Sequence, residues 1–466
     1  MSRKPLGKDK DGIQKVMRFG DYLGDAAGQF TLNAISGLVG QLTYFYTDKV
    51  GLAAGAVGTA FLIVKLIDAF TDLIMGYIVD HTKPGKERYR PWLLKMSIPA
   101  AIMIVLLFTV PANVSSSMQM VYMFITNFLL TAVIYTSLCI PYTSLMVVRT
   151  ASQQERGNMG TWRAGAGYVS GMIIAVAIIP ITNMLGGDQA AWIKFSAVLA
   201  VVAVICLLIT WKTSKETNPV MEAENKPGAQ DEALPFKEAI TNLFHNKYWV
   251  MVLIMGLAVN ITYGLANSAG TYYAKWIYGN DNLVGIQGAI GMIPTILGFI
   301  LVGPMIKKLG VTKTLKVSFF IGMAGNALRL LNPYNFVYNT VLGCFGTFAN
   351  IPMMCLLGVL TAMTIDYNEY KFNNRMLASS QAACGFGSKV GNGLGASLVA
   401  WCLAIASYNP EAAVASTAVK QAVFTFNIYV PLILFTVLFI LSIKFDLEKK
   451  LPQIHAEIAQ RKAREK

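Results

Sequence analysis

The chain has 466 residues, of which 55 % are hydrophobic and only 14 % are charged. A soluble globular domain usually carries about 25 % charged residues, so this composition excludes an ordinary soluble protein. Apolar runs long enough to cross a hydrocarbon layer about 30 Å thick recur along the whole length. The net charge of +14 does not indicate nucleic-acid binding, because membrane proteins collect Lys and Arg in their cytoplasmic loops.

Taken in chain order, the apolar runs predict twelve transmembrane helices. A helix satisfies its backbone hydrogen bonds within the segment, and the period-two alternation typical of barrel strands is absent from these runs. The predicted spans are 22–47, 53–79, 93–111, 119–147, 163–184, 191–211, 249–277, 284–305, 315–331, 337–364, 379–407 and 416–444. The predicted fold class is therefore an all-α integral membrane protein.

The connections between these spans alternate between basic loops and loops that are nearly free of Lys and Arg. Because basic loops stay in the cytoplasm, this alternation places both termini in the cytoplasm, with the chain in the cell membrane. A polar cytoplasmic connection, 213–247, divides the chain into six-helix halves, 1–212 and 248–445, and a cytoplasmic tail, 446–466, follows. Two six-helix halves with substrate bound between them are typical of transporters of the major facilitator type.

Acidic residues lie inside the second predicted span, "KLIDAFTDLIMGYIVD". A charge at the centre of a membrane helix costs on the order of 2.5–3.5 kcal/mol, so such residues face protein or water. Asp68 and Asp72 are four residues apart and share one helix face. Two carboxylates so close need a metal ion or a proton to neutralise them, so we predict a coupling-cation site with Thr71 and Thr136 as further ligands. The alternative is a structural ion-pair network that includes Lys65.

Three further charges are candidates for contact with substrate. Asp25 lies early in the first span and is predicted to accept a substrate hydroxyl; a structural pairing with a nearby base is the alternative. Lys389 lies far from either end of its span and cannot reach the membrane surface, so it should pair with an acid. Arg163 opens the fifth span, where an ordinary basic residue at a helix end is the alternative.

Asp80 ends the second span, and we interpret it, together with Arg88 or Arg90, as a gate or structural latch. The three histidines lie in predicted cytoplasmic regions, so a proton carrier within the membrane must be a carboxylate. The sequence has no recognisable nucleophile–base pair, metal-ligand cluster or phosphate-binding loop. We therefore predict that the protein is not an enzyme and uses no cofactor besides a coupling cation.

Several motifs resemble those of one family. They are "RFGDYLGDAA", "FYTDKVGL", "LIDAFTDLIMGYIVDHTKPGKERYRPW", "IPYTSL", "ERGNMGTWR" and "DYNEYKFNNR". On these motifs the chain resembles the glycoside–pentoside–hexuronide:cation symporters, a branch of the major facilitator superfamily that includes the melibiose permease. The resemblance covers essentially all twelve predicted spans.

This resemblance assigns roles to the residues already singled out. It implies that Asp68, Asp72 and Thr136 form the cation site, and that Asp25, Arg163 and Lys389 serve substrate binding. Two departures lie in the fourth span, where Cys139 and Thr143 replace the acid and the tryptophan of the galactoside-transporting branch. Because these positions serve substrate binding in that branch, we predict that Cys139 and Thr143 contact the substrate. A third departure is Thr71, which stands where Asn is frequent and leaves both sodium and proton open as the coupling ion.

The function expected from these observations is cation-coupled symport of a sugar, such as a glycoside, pentoside or hexuronide, by alternating access. The rival hypotheses are a cation-coupled lipid or lysolipid symporter on the same fold and a sensor without transport. The expected partners are a small-molecule sugar and the lipid bilayer, the protein being a monomer that binds no nucleic acid.

Overall fold

The fold is all-helical in the part of the chain that the structure describes, apart from an isolated β-bridge between Lys8 and Gln14. The structure is a computed structural model, which describes residues 6–8, 14–80, 87–150, 152–216, 236–372 and 377–464. The chain forms two compact units, Met1–Gly228 and Ala229–Lys466.

Three helices of the first unit, α5, α7 and α8, begin at a capping side chain. The elements are α1 (Phe19–Gly40), α2 (Leu42–Tyr44), the π-helical turn π1 (Phe45–Lys49), α3 (Ala54–Asp80), α4 (Arg90–Leu106), α5 (Ser116–Phe128), the π-helical turn π2 (Leu129–Tyr135), α6 (Thr136–Arg149), α7 (Gln153–Met184) and α8 (Gln189–Thr213). The side chains of Ser115, Ser152 and Asp188 accept backbone N–H groups in the first turns of α5, α7 and α8. Such caps satisfy donors that a helix end leaves unpaired.

Helix α1 packs closely on α7 and α8 within the first unit. A methyl group at Gly24 would overlap the side chain of Thr213, and one at Gly28 would lie 2.6 Å from the ring of Tyr142. Glycine is therefore required at these two positions, because the neighbouring side chains occupy the space of a Cβ. These contacts bring α1 against the ends of α6 and α8, where charged side chains meet.

The second unit contains the remaining helices. They are α9 (Phe236–His245), α10 (Lys247–Trp276), α11 (Leu283–Leu309), α12 (Val311–Arg329), α13 (Phe336–Phe372), α14 (Leu377–Ile405), α15 (Thr417–Phe424), the π-helical turn π3 (Thr425–Tyr429), α16 (Val430–Lys444) and α17 (Leu447–Arg464). The side chain of Asn246 accepts the backbone N–H groups of Tyr248 and Trp249, which fixes the start of α10.

Helices α10 and α14 form a closely packed pair through small residues on α14. A Cβ at Gly391 would lie 2.7 Å from the carbonyl oxygen of Leu257, and one at Gly395 would overlap the backbone of Ile261. These glycines are four residues apart and so lie on the same face of α14. Lys389 precedes Gly391 by two residues, about half a helical turn, so it lies on the face away from α10.

Each predicted span coincides with helical residues of the described chain. Seven helices of the described part are long and apolar enough to cross a membrane; they are Ser116–Met146, Glu155–Met184, Gln189–Thr213, Lys247–Trp276, Leu283–Leu309, Phe336–Phe372 and Thr417–Ile458. The number of twelve crossings stays a prediction, as do the exact limits of the halves. Some boundaries differ from the prediction. Helix α7, for example, begins at Gln153 and not at 163, because a helix can continue in polar residues beyond an apolar run.

Candidate functional site

A π-helical turn sets the position of Thr136. The turn π2 ends at Tyr135, directly before Thr136, and the hydroxyl of Thr136 lies 3.4 Å from the carbonyl oxygen of Thr131, five residues earlier. Both π2 and α6 contact α3, which carries the acidic residues. Such turns are rare and frequently occur at functional sites, since the extra residue changes the direction in which the following side chains point.

Thr136 joins the two carboxylates of α3. Its Oγ1 lies 3.1 Å from Oδ1 of Asp68 and 3.0 Å from Oδ1 of Asp72. A hydroxyl has a single proton, so it can donate to only one of these oxygens at a time. Asp68 and Thr136 are only 3 % and 2 % exposed, and Asp72 is half-buried. The structure thus brings together three of the side chains predicted for the cation site, from two helices.

Thr71 and Lys65 lie on either side of Asp68 along α3. The hydroxyl of Thr71 donates to the backbone carbonyl of Asp68 at 3.0 Å, and its predicted role as a cation ligand stays a prediction. Lys65 Nζ lies 3.6 Å from Oδ2 of Asp68. The ion pair between Lys65 and Asp68, which was the alternative interpretation, is therefore present together with the Thr136 contacts. A structural ion pair and a cation site do not exclude each other at these residues.

The donor set suits a small hard cation or a proton. Among the described residues, no group of three or more His, Cys, Asp or Glu side chains could hold a metal ion. Two carboxylates and a hydroxyl supply only oxygen atoms, which suit alkali and alkaline-earth ions and not soft transition metals.

Asp25 is held between two arginines. Its Oδ1 accepts from Arg149 Nη1 at 2.9 Å and from Arg163 Nη2 at 3.0 Å, and its Oδ2 accepts from Arg163 Nε at 2.6 Å. The Asp25 side chain is 0 % exposed, and those of Arg149 and Arg163 are 3 % and 7 % exposed. Arg163 also stacks over Tyr142, with its guanidinium carbon 3.9 Å from the ring centre. One carboxylate thus pairs with two guanidinium groups in a buried cluster.

The cluster ties four helices of the first unit together. Arg149 also donates to the carbonyl oxygen of Thr213, the last residue of α8, at 3.1 Å. Both carboxylate oxygens of Asp25 accept hydrogen bonds from arginines. This is the structural pairing with a base that the sequence analysis gave as the alternative to substrate binding. Its predicted role as a hydroxyl acceptor stays a prediction, and a hydroxyl there would compete with two charged donors. Arg149 was missed because it ends an apolar run, where a lone basic residue usually marks a helix end.

Cys139 and Thr143 lie on α6, three and seven residues after Thr136. These spacings put all three on one face of the helix. Cys139 is half-buried and Thr143 is exposed, and the Thr143 hydroxyl donates to the carbonyl oxygen of Cys139 at 3.0 Å. This face of α6 therefore begins at Thr136, beside the carboxylate pair, and continues through Cys139 to Thr143. The predicted contact of Cys139 and Thr143 with substrate stays a prediction.

The predicted latch is described only in part. Asp80 ends α3, but its side chain lies outside the described part, so its pairing with Arg88 or Arg90 stays a prediction. The backbone N–H groups of Arg88, Tyr89 and Arg90 donate to the Glu216 carboxylate at 3.0, 2.7 and 2.9 Å. The Arg90 side chain lies 2.6 Å from Glu87 and stacks on Trp211.

Glu216 therefore caps α4, a role that the sequence analysis missed. In the second unit, Glu448 lies in the first turn of α17, shortly after α16, and accepts the N–H groups of Val311 and Thr312 at 2.8 and 2.7 Å. The same cap in both units is an internal structural repeat. Lys389 is half-buried on α14, and its predicted acidic partner stays a prediction.

Comparison with known proteins places the fold. A crystal structure of the nucleoside transporter NupG matches with a TM-score of 0.64 at 13 % identity, covering 92 % of this chain and 98 % of that one. Such low identity bears on the fold alone. The isoprimeverose transporter of Lactiplantibacillus pentosus is 25 % identical, over 96 % of this chain and 92 % of that protein. The inner membrane symporter YicJ of Escherichia coli (strain K12) is 28 % identical, over 84 % and 83 %.

One family match covers most of the chain. A sequence model of the family described as MFS/sugar transport protein matches residues 24–449. Together with the structural similarity to NupG, this match confirms the predicted major facilitator fold and the family resemblance. It places the protein among multi-pass membrane transporters and not among enzymes. The chain belongs to the MFS/sugar transport protein family.

Proposed function

We propose that the protein is a secondary active transporter that couples the movement of Na+ or H+ to symport of a sugar by alternating access. The observation that carries the proposal is the position of Thr136 between the carboxylates of Asp68 and Asp72, at 3.1 and 3.0 Å. The names of two relatives, an isoprimeverose transporter and an inner membrane symporter, support sugar as substrate and symport as mode.

The carboxylate pair meets the physical requirement of a coupling site. Two negative charges in a partly buried position are unfavourable unless a cation or a proton neutralises one of them. The cation-free and cation-bound states therefore differ strongly in charge, which gives the cation a means to favour one conformation over another. Coupling is reciprocal: if the cation raises the affinity for sugar, sugar raises the affinity for the cation by the same factor.

The substrate in this proposal is a glycoside, pentoside or hexuronide, which Arg163, Lys389, Asp25, Cys139 and Thr143 help to bind. Both oxygens of Asp25 accept hydrogen bonds from arginines in this conformation. The Asp25 side chain is also 0 % exposed, so substrate binding at Asp25 would require the surrounding side chains to move during the transport cycle. In the proposed orientation both termini are cytoplasmic, and the transporter works as a monomer without nucleic acid or an organic cofactor.

The test is uptake of a panel of labelled sugars into proteoliposomes, with an imposed Na+ or H+ gradient. Wild-type protein should accumulate one or more sugars uphill under one of the two gradients. Asp68→Asn should lose uphill accumulation, because its amide cannot take up the coupling charge. Asp188→Asn is the matched control, since Asp188 caps α8 and Asn caps a helix about equally well. Undiminished uphill uptake by Asp68→Asn would show that the coupling site is elsewhere.

A further inference from the structure

Two amide side chains follow Asp25 along the same side of α1. Gln29 and Asn33 come four and eight residues after Asp25, which places them about 6 and 12 Å further along the helix axis. The side-chain nitrogen Nε2 of Gln29 donates to Oδ1 of Asn33 at 2.7 Å. Both amide residues are half-buried, whereas the Asp25 side chain is 0 % exposed. The amide pair is therefore the more accessible polar part of this side of α1.

Helix α7 leaves space for the amide pair through a glycine. A Cβ at Gly167 would lie 2.8 Å from Nδ2 of Asn33 and 3.4 Å from Cγ of Gln29. Three residues further along α7, the hydroxyl of Ser170 donates to the backbone carbonyl oxygen of Phe30 at 2.6 Å. This hydrogen bond joins the two helices at the level of the amides. The position of the amide pair is thus set by the close approach of α7 to α1.

The hydrogen bond between the two amides leaves an acceptor and a donor available. Among the described residues, no partner is seen for Oε1 of Gln29 or for Nδ2 of Asn33. Both residues belong to the predicted membrane span 22–47, where polar groups are costly unless they face protein or water. An amide acceptor and an amide donor are complementary to hydroxyl groups, because a hydroxyl can both donate and accept.

We propose that Gln29 and Asn33 form a sugar-hydroxyl subsite of the transporter and determine which hydroxyl group its substrate must carry. This inference rests on the proposed function, because it concerns the sugar that is proposed to be transported. Since Asp25 is fully buried between arginines, the amide pair is the part of α1 that contacts the sugar in this conformation.

The alternative role of the amide pair is structural. Amide side chains also join neighbouring helices in membranes, and here they would hold α1 against α7. A structural role affects the binding of all sugars equally. Recognition of a hydroxyl instead distinguishes two sugars that differ only in that hydroxyl, because a binding site built for a hydroxyl is left with unpaired polar groups when the hydroxyl is missing. The two roles therefore differ in a measurable property.

The test is equilibrium binding of three methyl glycosides to full-length protein in lipid nanodiscs, measured by calorimetric titration without an ion gradient. The probes are methyl β-D-xyloside, methyl β-D-glucoside and methyl β-D-glucuronide, each compared with its monodeoxy forms. We expect wild type to bind one parent glycoside at least about tenfold more tightly than one of its monodeoxy forms. This preference should fall below about twofold in the double variant Gln29→Met with Asn33→Leu, because a missing amide and a missing hydroxyl remove the same interaction. The single variants then assign the hydroxyl to one amide.

Matched variants make the outcome specific. Gln119→Met makes the same chemical change on α5, where a half-buried amide donates to the carbonyl oxygen of Pro111 at 2.9 Å, and it should keep the wild-type preference. If the double variant does not fold, Gly167→Ala replaces it, because the added Cβ would displace Nδ2 of Asn33 and so lower the preference. Its control is Gly171→Ala on the same helix, where no atom lies within 4 Å of the added Cβ.

A wild-type preference that survives in the double variant overturns the inference, and so does an equal loss of affinity for a parent glycoside and all its monodeoxy forms. Wild type that binds none of the three glycosides, or binds parent and monodeoxy forms equally, overturns it as well. Thermal unfolding in the same nanodiscs verifies that each comparison concerns folded protein. Because binding is measured without a gradient, its result is separate from the uptake test, in which the proposed function fails if wild type accumulates no sugar uphill.

Discussion

Replacing Asp25 with Asn should destabilise the first unit severely. The change removes the charge that balances Arg149 and Arg163, which contact Asp25 at 2.6–3.0 Å and are nearly fully buried. At an effective dielectric constant of about 20, a unit charge pair at 2.9 Å attracts by roughly 6 kcal/mol before desolvation is subtracted. Removing one partner of a buried ion pair typically costs about 3–5 kcal/mol, because the remaining charge stays buried without a counterion. Two buried guanidinium groups lose this carboxylate here, so we expect a loss within that range.

The assay is the free energy of unfolding of the purified protein in mixed micelles, measured by titration with a denaturing detergent. Asp21→Asn is the matched control, since Asp21 lies on the same helix, is half-buried and accepts the backbone N–H of Arg18 at 2.8 Å. It should lose less than about 1 kcal/mol.

A double variant checks the reasoning about charge. Adding Arg149→Met to Asp25→Asn returns the cluster to a sum of +1, the same as in the wild type, and should recover part of the lost stability. Non-additivity of this kind is expected for residues in direct contact. If Asp25→Asn loses no more stability than Asp21→Asn, the cluster does not hold the unit together and the electrostatic argument is wrong.

Two further predictions concern helix packing and capping. Gly391→Val should lower the free energy of unfolding by about 1–3 kcal/mol, because its Cβ would lie 2.7 Å from a carbonyl oxygen of α10. The control is Gly385→Ala on the same helix, which should change the free energy of unfolding little because no atom lies within 4 Å of its Cβ. Equal losses in the two variants would contradict the packing argument. Glu216→Ala should leave the N–H groups of Arg88, Tyr89 and Arg90, at the start of α4, without their carboxylate, weakening that helix end by about 1–2 kcal/mol. Faster hydrogen exchange at 88–92 alone should report this, and unchanged exchange would refute the capping role.

The positions of the helices and of the acidic pair were predictable from the sequence. In lipid, a segment that crosses the membrane is stable only as a helix or as a strand of a closed barrel. The spacing of Asp68 and Asp72 places them on one helix face whatever surrounds them. Thr136 was named as a further ligand, and the structure places its hydroxyl within hydrogen-bond distance of both carboxylates.

The π-helical turn before Thr136 was not predictable, because it is a local change in backbone hydrogen bonding that no residue type of Leu129–Tyr135 requires. The pairing of Asp25 with Arg149 was missed for a different reason. These residues are 124 positions apart, and their contact depends on how α1, α6 and α8 pack. Sequence spacing predicts neighbours along one helix, whereas neighbours on different helices are set by packing.

The capping role of Glu216 also depends on tertiary structure. Its carboxylate accepts N–H groups more than 120 residues earlier in the chain, at the start of α4. A capping residue usually lies directly before its helix, where sequence patterns can reveal it. The matching contact of Glu448 with the start of α12 became recognisable only once both units were described.

The central claim is that the oxygens of Asp68, Asp72 and Thr136 bind the coupling cation. The most direct measurement is the infrared difference spectrum of the reconstituted protein on addition of Na+, or on a step in pH, without sugar. We expect a change in the carboxylate stretching bands for wild type and for Asp188→Asn, and its loss in Asp68→Asn. A carboxylate signal that persists unchanged in Asp68→Asn would contradict the account.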